Sequence, residues 1–250
     1  MRKILTSLVV AGVLSGVLAH DFWVIGSNGD KFGADIGYGH GFPAPEPISP
    51  ERAKLFDPLY VLKKDGSKMV LKQAKESYHF EGDKLEAGSY VLAGDYKPTF
   101  WSKDKEGKWH MGGTKDKVAN AESCQLAAMS AKSVVNVGEI QDEFISKPIG
   151  QKIEIVPLEN PSNFIVEKPF KVQVFVDGKP LKRARVLGTY DKFLPNQYAF
   201  SGTANLEGVA EVMALKAGKW MLKVTHEQPY SDTKICDREV LVATFTFDVK

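Results

Sequence analysis

The chain has 250 residues, of which 43% are hydrophobic and 10% aromatic, enough to fill one large domain or two modest ones. Its formal net charge of +2 is accounted for by Arg2 and Lys3, so the charges of the rest of the chain balance. A balanced surface argues against nucleic acid and against an anionic membrane surface as partners.

The first 19 residues have the pattern of a secretory signal peptide. Two basic residues precede an apolar stretch over 4–18, and Val-Leu-Ala at 17–19 is a small-x-small cleavage motif. The apolar stretch is shorter than the roughly 20 residues that a membrane span needs. We therefore expect cleavage after Ala19 and a soluble periplasmic or secreted protein that begins at His20.

Residues 20–250 have the pattern of a nearly all-β chain. The segment 170–176 alternates apolar and polar residues before an Asp-Gly turn, the segment 241–249 alternates similarly, and Asp-Gly-Ser at 65–67 separates the two arms of a predicted hairpin. Short strands between Gly, Pro, Asp and Asn turns predict an all-β fold of two immunoglobulin-like β-sandwich domains in tandem. The segment 118–135 is ambiguous, because its alanines suit a helix whereas residues 130–137 suit a strand.

An internal repeat supports the two-domain interpretation. The pattern Leu-x-Ala-Gly-x-aromatic-x-Leu occurs at 85–92 and again at 215–222, which indicates a tight turn that leads into a strand in each half. We predict an N-terminal β-rich domain at 20–147 and a C-terminal β-sandwich domain at 148–250. The boundary falls in Lys-Pro-Ile-Gly-Gln at 147–151.

The chain has two cysteines, Cys124 and Cys236. An oxidising compartment permits a disulfide between them, whose loop closure would contribute about 4–5 kcal/mol in the chain-entropy model. Two buried thiols or a soft metal ligand are the alternatives, and the sequence alone leaves them open.

The common catalytic motifs are absent from the sequence. It contains no Gly-x-Ser-x-Gly elbow, Walker phosphate loop, Cys-x-x-Cys pair, His-Glu-x-x-His motif or dinucleotide fingerprint. We therefore expect a protein that is not an enzyme and that uses no nucleotide cofactor.

His20 is the strongest candidate for a functional residue. As the first residue of the processed chain it would offer two nitrogen donors, the imidazole and the α-amine, and the amine's ordinary pKa of about 7.7–8.0 leaves part of it deprotonated at neutral pH. Nitrogen donors suit nickel, cobalt, copper and zinc. The competing interpretation is that His20 only marks where the signal peptide is cut.

Two further histidines are predicted to complete a metal site with His20. His40 lies in the loop Gly-Tyr-Gly-His-Gly-Phe-Pro, and His226 ends a predicted strand, on the same face as Trp220 and Leu222. Three imidazoles and one amine would give the four nitrogen donors that square-planar nickel or copper prefers. Each histidine also has an ordinary structural interpretation, and His79 is expected to lie on an exposed strand face and to bind nothing.

The sequence resembles the NikM-like family of periplasmic proteins, which is linked to nickel and cobalt uptake. The segments that carry the resemblance run in order through nearly all of residues 20–250: His20–Trp23, Gly39–Gly41, Gly88–Leu92, Lys147–Gln151, Asp177–Leu181, Gly218–Trp220, Thr225–Glu227 and Cys236–Asp237. The resemblance implies a β-rich extracytoplasmic protein that handles a transition metal, nickel first, with cobalt, copper or zinc as alternatives. It also implies a membrane metal transporter as partner.

Two other functions are consistent with the sequence. An N-terminal histidine with a second histidine resembles the histidine brace of lytic polysaccharide monooxygenases, which would make the chain a copper oxidase or copper carrier. A pair of β-sandwiches is also typical of extracellular binding modules, in which the histidines would be incidental. Metal analysis and calorimetry of the processed protein distinguish these three functions.

Overall fold

The computed structural model describes residues 20–74 and 78–250, so the predicted signal peptide lies outside the described residues. Within the described ranges the chain is almost entirely β, as predicted. The α-helix α1 (Pro50–Ala53) has only four residues, and none of the helices among the described residues is long and apolar enough to span a membrane.

The strands follow one another along the chain with short connections. They are β1 (Asp21–Asn28), β2 (Phe32–Gly39), β3 (Tyr60–Leu62), β4 (Lys68–Val70), β5 (Lys72–Gln73), β6 (His79–Gly82), β7 (Gly88–Asp104), β8 (Trp109–Met111), β9 (Ala121–Val137), β10 (Ile153–Pro157), β11 (Phe170–Val176), β12 (Lys179–Pro180), β13 (Arg185–Tyr190), β14 (Phe200–Thr203), β15 (Val209–Val212), β16 (Gly218–Pro229) and β17 (Arg238–Val249). Two 3₁₀ turns, Glu143–Ser146 and Pro161–Asn163, complete the secondary structure. The ambiguous segment 118–135 is therefore mostly strand β9.

The strands form three sheets. A large central sheet has the order β14-β13-β16-β17-β9-β7-β3-β4, with β8 paired to β7. A first outer sheet has the order β1-β2-β6-β5, and a second outer sheet joins β10, β11 and β12, with β15 on β11. The Asp-Gly turn after β11 has positive φ at both residues, 49° at Asp177 and 70° at Gly178, as a two-residue hairpin requires.

The central sheet has a hydrophobic core on each face. In β17, Val242 belongs to the first core, against the first outer sheet, whereas Leu241 and Ala243 belong to the second core, against the second outer sheet. In β9, Met129 belongs to the first core and Ala128 to the second. Because successive side chains of a strand point to opposite faces, one strand can contribute to both cores, which explains why 127–133 of β9 and 240–247 of β17 are buried at every position.

The described residues form two sandwiches that share this central sheet. Strand β17 pairs in parallel with β9, from Arg238 opposite Gln125 to Thr246 opposite Ser133, so hydrogen bonds cross the boundary predicted at 147/148. A disulfide joins Cys124, in β9, to Cys236, just before β17. Each half therefore has its own hydrophobic core, but the backbone hydrogen bonds of the central sheet run continuously from one half to the other.

Strand β1 lies at the edge of the first outer sheet and is fastened to the central sheet by two hydroxyl groups. Thr244 Oγ1 donates to the carbonyl oxygen of Phe22 at 2.5 Å, and Thr246 Oγ1 donates to that of Val24 at 2.6 Å. All four residues are buried. A buried carbonyl without a partner is costly, so these two bonds fix the position of β1 and of the residue before it, His20.

Candidate metal centre

Three side chains that can bind a metal meet at the end of the β1–β2 hairpin. One ligand atom each of His20, His40 and Glu46 lies within 4.8 Å of the others. His20 Nε2 is 3.2 Å from Glu46 Oε2, and His40 Nδ1 is 2.7 Å from Glu46 Oε1. The side chains are 26%, 27% and 42% exposed respectively, so the group is accessible from solvent.

The hairpin register brings the two histidines together. Asp21 and Gly39 form the last pair of the β1–β2 ladder, so His20 and His40 are the next residues on the two strands. Residues opposite each other on antiparallel strands have neighbouring side chains. Their ring centroids are 4.1 Å apart, so the structure brings these two of the three predicted ligands together.

Glu46 reaches the histidines because the loop after β2 folds back on the strand. Its backbone N–H donates to the carbonyl oxygen of Tyr38 at 2.8 Å, and its Oε1 also accepts the backbone N–H of His40 at 2.8 Å. Gly39 has φ of +150°, and a Cβ atom there would lie 2.9 Å from Glu46 Cγ. Glycine at this position therefore makes room for the carboxylate.

Local electrostatics favour the metal-binding forms of His20 and Glu46. Burial lowers the pKa of His20, and the nearby charge of His40 lowers it further, so the neutral imidazole is favoured. The hydrogen bonds from the His40 side chain and backbone lower the pKa of Glu46, which keeps it ionised. Neutral imidazoles and an ionised carboxylate are the protonation states that bind metal ions.

Aromatic side chains support the imidazole of His20 from one side. It stacks on the Tyr38 ring at 4.9 Å between centroids and 4° between planes. Tyr38 is 4% exposed, and its hydroxyl accepts a hydrogen bond from Arg52 Nη1 at 3.3 Å. The stacking fixes the plane of the His20 ring, as a ligand position requires.

A buried ion pair lies directly after His20. The Asp21 carboxylate contacts the Lys223 ammonium from β16, and Lys223 also donates to the Tyr198 hydroxyl at 3.3 Å. Burial is the strongest single influence and lowers the pKa of Lys223, but the charges and hydrogen bonds of Asp21 and Tyr198 together outweigh it and raise the pKa on balance, so the ammonium stays charged. This pair joins the base of the hairpin to the second sandwich.

The structure does not bring His226 into the cluster, contrary to the sequence-based expectation. His226 does lie on the same face of β16 as Trp220 and Leu222, as predicted. Trp220 and Leu222 both belong to the second core. It is the opposite face of β16 that approaches the hairpin, through Lys223, which contacts Asp21. The third ligand is instead a carboxylate, Glu46.

The two remaining histidines pair with single carboxylates. His79 Nδ1 is 2.7 Å from Asp35 Oδ1, and His110 Nε2 is 2.8 Å from Asp104 Oδ2. Among residues 20–74 and 78–250, the cluster at His20 is the one group of three or more such side chains. His79 thus lies on a strand face away from the cluster, as expected.

Sequence reasoning missed Glu46, although a signal was present. The residue lies six positions after His40, in Phe-Pro-Ala-Pro-Glu-Pro, where prolines flank it on both sides. Proline restricts its own backbone and that of the preceding residue, so a carboxylate between two prolines is held in a narrow range of positions. An acidic residue fixed in this way, close to a candidate ligand, is a reasonable third ligand.

No curated protein matches this chain. Among solved structures it is similar to a tetra-tandem repeat in the extending region of a large adhesion protein, with 8% identity, a TM-score of 0.23, and coverage of 91% of this chain and 50% of that one. It is also similar to the BSP domain of a biofilm-associated protein, with 12% identity, a TM-score of 0.20, and coverage of 88% and 29%. The D0-D1 domain of intimin matches with 10% identity, a TM-score of 0.22, and coverage of 91% and 97%.

This chain therefore spans about half the length of the first of these proteins. Similarity at such TM-scores supports no statement about function. A family model matches residues 17–228, a range that contains the whole cluster. The chain thus belongs to the DUF4198 family, a domain of unknown function.

Proposed function

We propose that this chain is an extracytoplasmic protein that binds a transition metal, acts in nickel or cobalt uptake as the NikM-like resemblance implies, and catalyses no reaction. The observation that supports this proposal is the approach of three ligand atoms, from His20, His40 and Glu46, to within 4.8 Å of one another. Two imidazole nitrogens and one carboxylate oxygen suit nickel, cobalt, copper and zinc. As a signal peptide, residues 1–19 would direct export to the periplasm or outside the cell and would then be removed. There the protein would pass the metal to a membrane transporter.

The cluster supplies three donors without the α-amine of His20. An amine and an imidazole of the same residue chelate one metal through Nδ1, because only that nitrogen closes a six-membered ring. In the structure it is Nε2 of His20 that faces the Glu46 carboxylate. We therefore propose binding through Nε2 of His20, Nδ1 of His40 and the carboxylate, with the amine as an alternative mode that requires rotation of the ring.

Isothermal titration calorimetry of residues 20–250 tests the proposal. Ni²⁺, Co²⁺, Cu²⁺ and Zn²⁺ are titrated in turn, after mass spectrometry has confirmed that the chain begins at His20. We expect His40→Ala and Glu46→Gln each to weaken binding of the preferred metal by roughly 100-fold, at the upper end of the cost of losing even a supporting group. Absence of sub-millimolar affinity for all four metals would refute the proposal and favour a binding module that uses no metal.

His79→Ala is the matched control. His79 is 29% exposed and lies 2.7 Å from a carboxylate, much as His40 does, but it has no second histidine beside it. Its substitution should leave metal affinity unchanged. A loss equal to that of His40→Ala would show that the metal binds histidine–carboxylate pairs without selecting the cluster.

One added residue before His20 distinguishes the two binding modes. The extension converts the amine into an amide, which is not a donor at neutral pH, and leaves Nε2 untouched. We expect the extended chain to bind more tightly than His20→Ala. An extended chain that binds as weakly as His20→Ala would instead support chelation by the amine.

A copper protein is the second candidate, because the paired imidazoles of His20 and His40 would suit a copper ion. If the copper-loaded chain oxidised a polysaccharide in the presence of oxygen, the histidine-brace function would replace the uptake function. We expect no such oxidation.

A further inference from the structure

Arg52 lies close to the metal cluster and is held rigidly. Its guanidinium carbon is 5.5 Å from the centroid of the Tyr38 ring and 5.2 Å from that of Trp101. Both aromatic residues are buried, at 4% and 6% exposure, so the rings are fixed. Two aromatic contacts and one hydrogen bond to Tyr38 hold the guanidinium in place without neutralising its charge.

Most N–H donors of the Arg52 guanidinium have no hydrogen-bond partner among the described residues. Arginine has five N–H donors, and within the described part of the chain its side chain makes one hydrogen bond, from Nη1 to Tyr38 at 3.3 Å. No carboxylate lies within ion-pair distance of Arg52 among residues 20–74 and 78–250. A half-buried, preorganised guanidinium of this kind suits a carboxylate, which it binds through two parallel hydrogen bonds.

Arg52 and the cluster share one support, the Tyr38 ring. The His20 ring lies 4.9 Å from its centroid and the Arg52 guanidinium carbon 5.5 Å from it. Because both groups contact the same ring, the guanidinium carbon lies within about 10 Å of the His20 ring centroid. We expect a molecule the size of an amino acid or a tricarboxylate to contact both a metal at His20 and the guanidinium.

The charge of a metal bound at the cluster and the number of its protein ligands both favour an anion as an additional ligand. A divalent cation held by two neutral imidazoles and one carboxylate keeps a net positive charge, and Arg52 adds to it. Three protein donors also leave at least one coordination position open, since these metals take four or more ligands. An external ligand that supplies a negatively charged oxygen satisfies both requirements.

We propose that this site takes its metal together with a small chelating carboxylate, which bridges the metal and Arg52. The inference rests on the metal site proposed above and specifies its cargo, a metal–carboxylate complex and not the bare ion. Two sources share this chemistry: a polycarboxylate such as citrate, and an amino acid such as histidine. Arg52 acts as a specificity residue that binds the carboxylate and makes no bond to the metal.

Equilibrium dialysis of residues 20–250 with ¹⁴C-citrate or ¹⁴C-histidine, with and without Ni²⁺, tests the proposal. We expect the labelled carboxylate to be retained by the protein only when nickel is present, at about one molecule per chain, and the two labels show which source the site prefers. Nickel–ethylenediamine, a cationic chelate whose ligand has no carboxylate, serves as the comparison and should bind more weakly than the carboxylate complex.

The variant Arg52→Gln separates the two proposals. It should weaken binding of the nickel–carboxylate complex about tenfold or more, the cost of losing a charged hydrogen-bonding partner, and change binding of Ni²⁺ alone by less than about twofold. Arg52→Lys keeps the charge but loses the planar fork, so its loss should be intermediate. Arg185→Gln is the control, because Arg185 lies on β13 and, within residues 20–74 and 78–250, its side chain bonds only to Ser201.

The outcomes are distinct. Retention of neither label in the presence of nickel, or equal losses by Arg52→Gln for Ni²⁺ alone and for the complex, would overturn the inference and leave the metal site standing. Failure of the unsubstituted chain to bind nickel in any form would overturn the proposed function itself. Circular dichroism confirms that each variant is folded before it is scored.

Discussion

The two sandwiches begin a central strand with the same turn. Gly88 starts β7 and Gly218 starts β16, with φ of +157° and +116°. The aromatic residue two positions later then donates to the carbonyl oxygen four residues before it, from the Tyr90 hydroxyl to Glu86 at 3.0 Å and from Trp220 Nε1 to Lys216 at 2.7 Å. The repeat seen in the sequence is therefore a repeat in structure.

The two copies differ in what surrounds the aromatic ring. Trp220 is 0% exposed within the second core, whereas Tyr90 is half-buried at the margin of the first. The metal cluster, in turn, belongs to the first sandwich, at the end of its β1–β2 hairpin. If the proposed function holds, ligand binding depends on the first half, whereas the buried Trp220 makes the second copy of the turn the more important one for stability, so substitutions in each half should give different readouts.

The largest expected effect comes from the link between the halves. Replacing Cys124 and Cys236 together by serine should lower the free energy of unfolding by about 4–5 kcal/mol, because the disulfide closes a loop across a sequence separation of 112. Urea denaturation measures the loss. Since the central sheet is continuous, unfolding should remain a single transition; two separate transitions would show that the sandwiches are independent.

Next is the substitution Trp220→Ala, which should lower the free energy of unfolding by about 3–5 kcal/mol. The matched change in the first sandwich, Tyr90→Ala, should cost clearly less, because Tyr90 is only partly buried. Both free energies come from urea denaturation followed by circular dichroism. Equal losses would contradict the assignment of stability to the second core.

The third prediction concerns pH and isolates His20 by comparison with His20→Ala. The lowered pKa of His20 means that its neutral, metal-binding form persists below pH 6.5, the ordinary pKa of histidine. The ratio of the nickel affinity of the unsubstituted chain to that of His20→Ala should thus be constant above pH 6.5. It should then fall by about tenfold per pH unit once the pH is below the lowered pKa. Calorimetry between pH 5 and 8 measures the ratio, and a decline that begins above pH 6.5 would contradict it.

The smallest expected effect is that of Gly39→Ala, about tenfold in metal affinity and about 1 kcal/mol in stability. The new Cβ would lie 2.9 Å from Glu46 Cγ and displace the carboxylate from His40. Gly41→Ala is the control, because a Cβ there has no heavy atom within 4 Å and the residue lies two positions away on the same loop. Equal behaviour of the two variants in nickel titrations would exclude a role for the glycine in placing Glu46.

The sequence was sufficient to predict what depends on local pattern. Alternation over 170–176 and the turn at 177–178 predicted β11 and its hairpin, and the glycine-rich sequence around His40 predicted a loop that presents its imidazole. The pairing of Cys124 with Cys236, which the sequence left open, depends on the parallel contact of β9 with β17. Such long-range pairing leaves no trace in spacing.

The identity of the third ligand shows more clearly what the sequence pattern cannot predict. Period-two alternation correctly assigned the face of β16 that His226 shares with Trp220, but it cannot tell which face the N-terminal hairpin will approach. That choice depends on Thr244 and Thr246, whose hydroxyls fasten β1 to the side of the central sheet that Lys223 also faces. Glu46 takes the place of His226 because the hairpin docks on that side.

The contacts of β1 with the hydroxyl groups of Thr244 and Thr246 also determine when, during and after synthesis, the cluster becomes fixed. The residues of the cluster leave the ribosome early, yet Phe22 receives its donor from Thr244 across a sequence separation of 222 residues. Contacts of such long range form late, since the intervening chain must be closed first. A nascent chain therefore carries both histidines well before their hairpin is anchored, and the cluster of His20, His40 and Glu46 is fixed in place only once β17 has joined the central sheet.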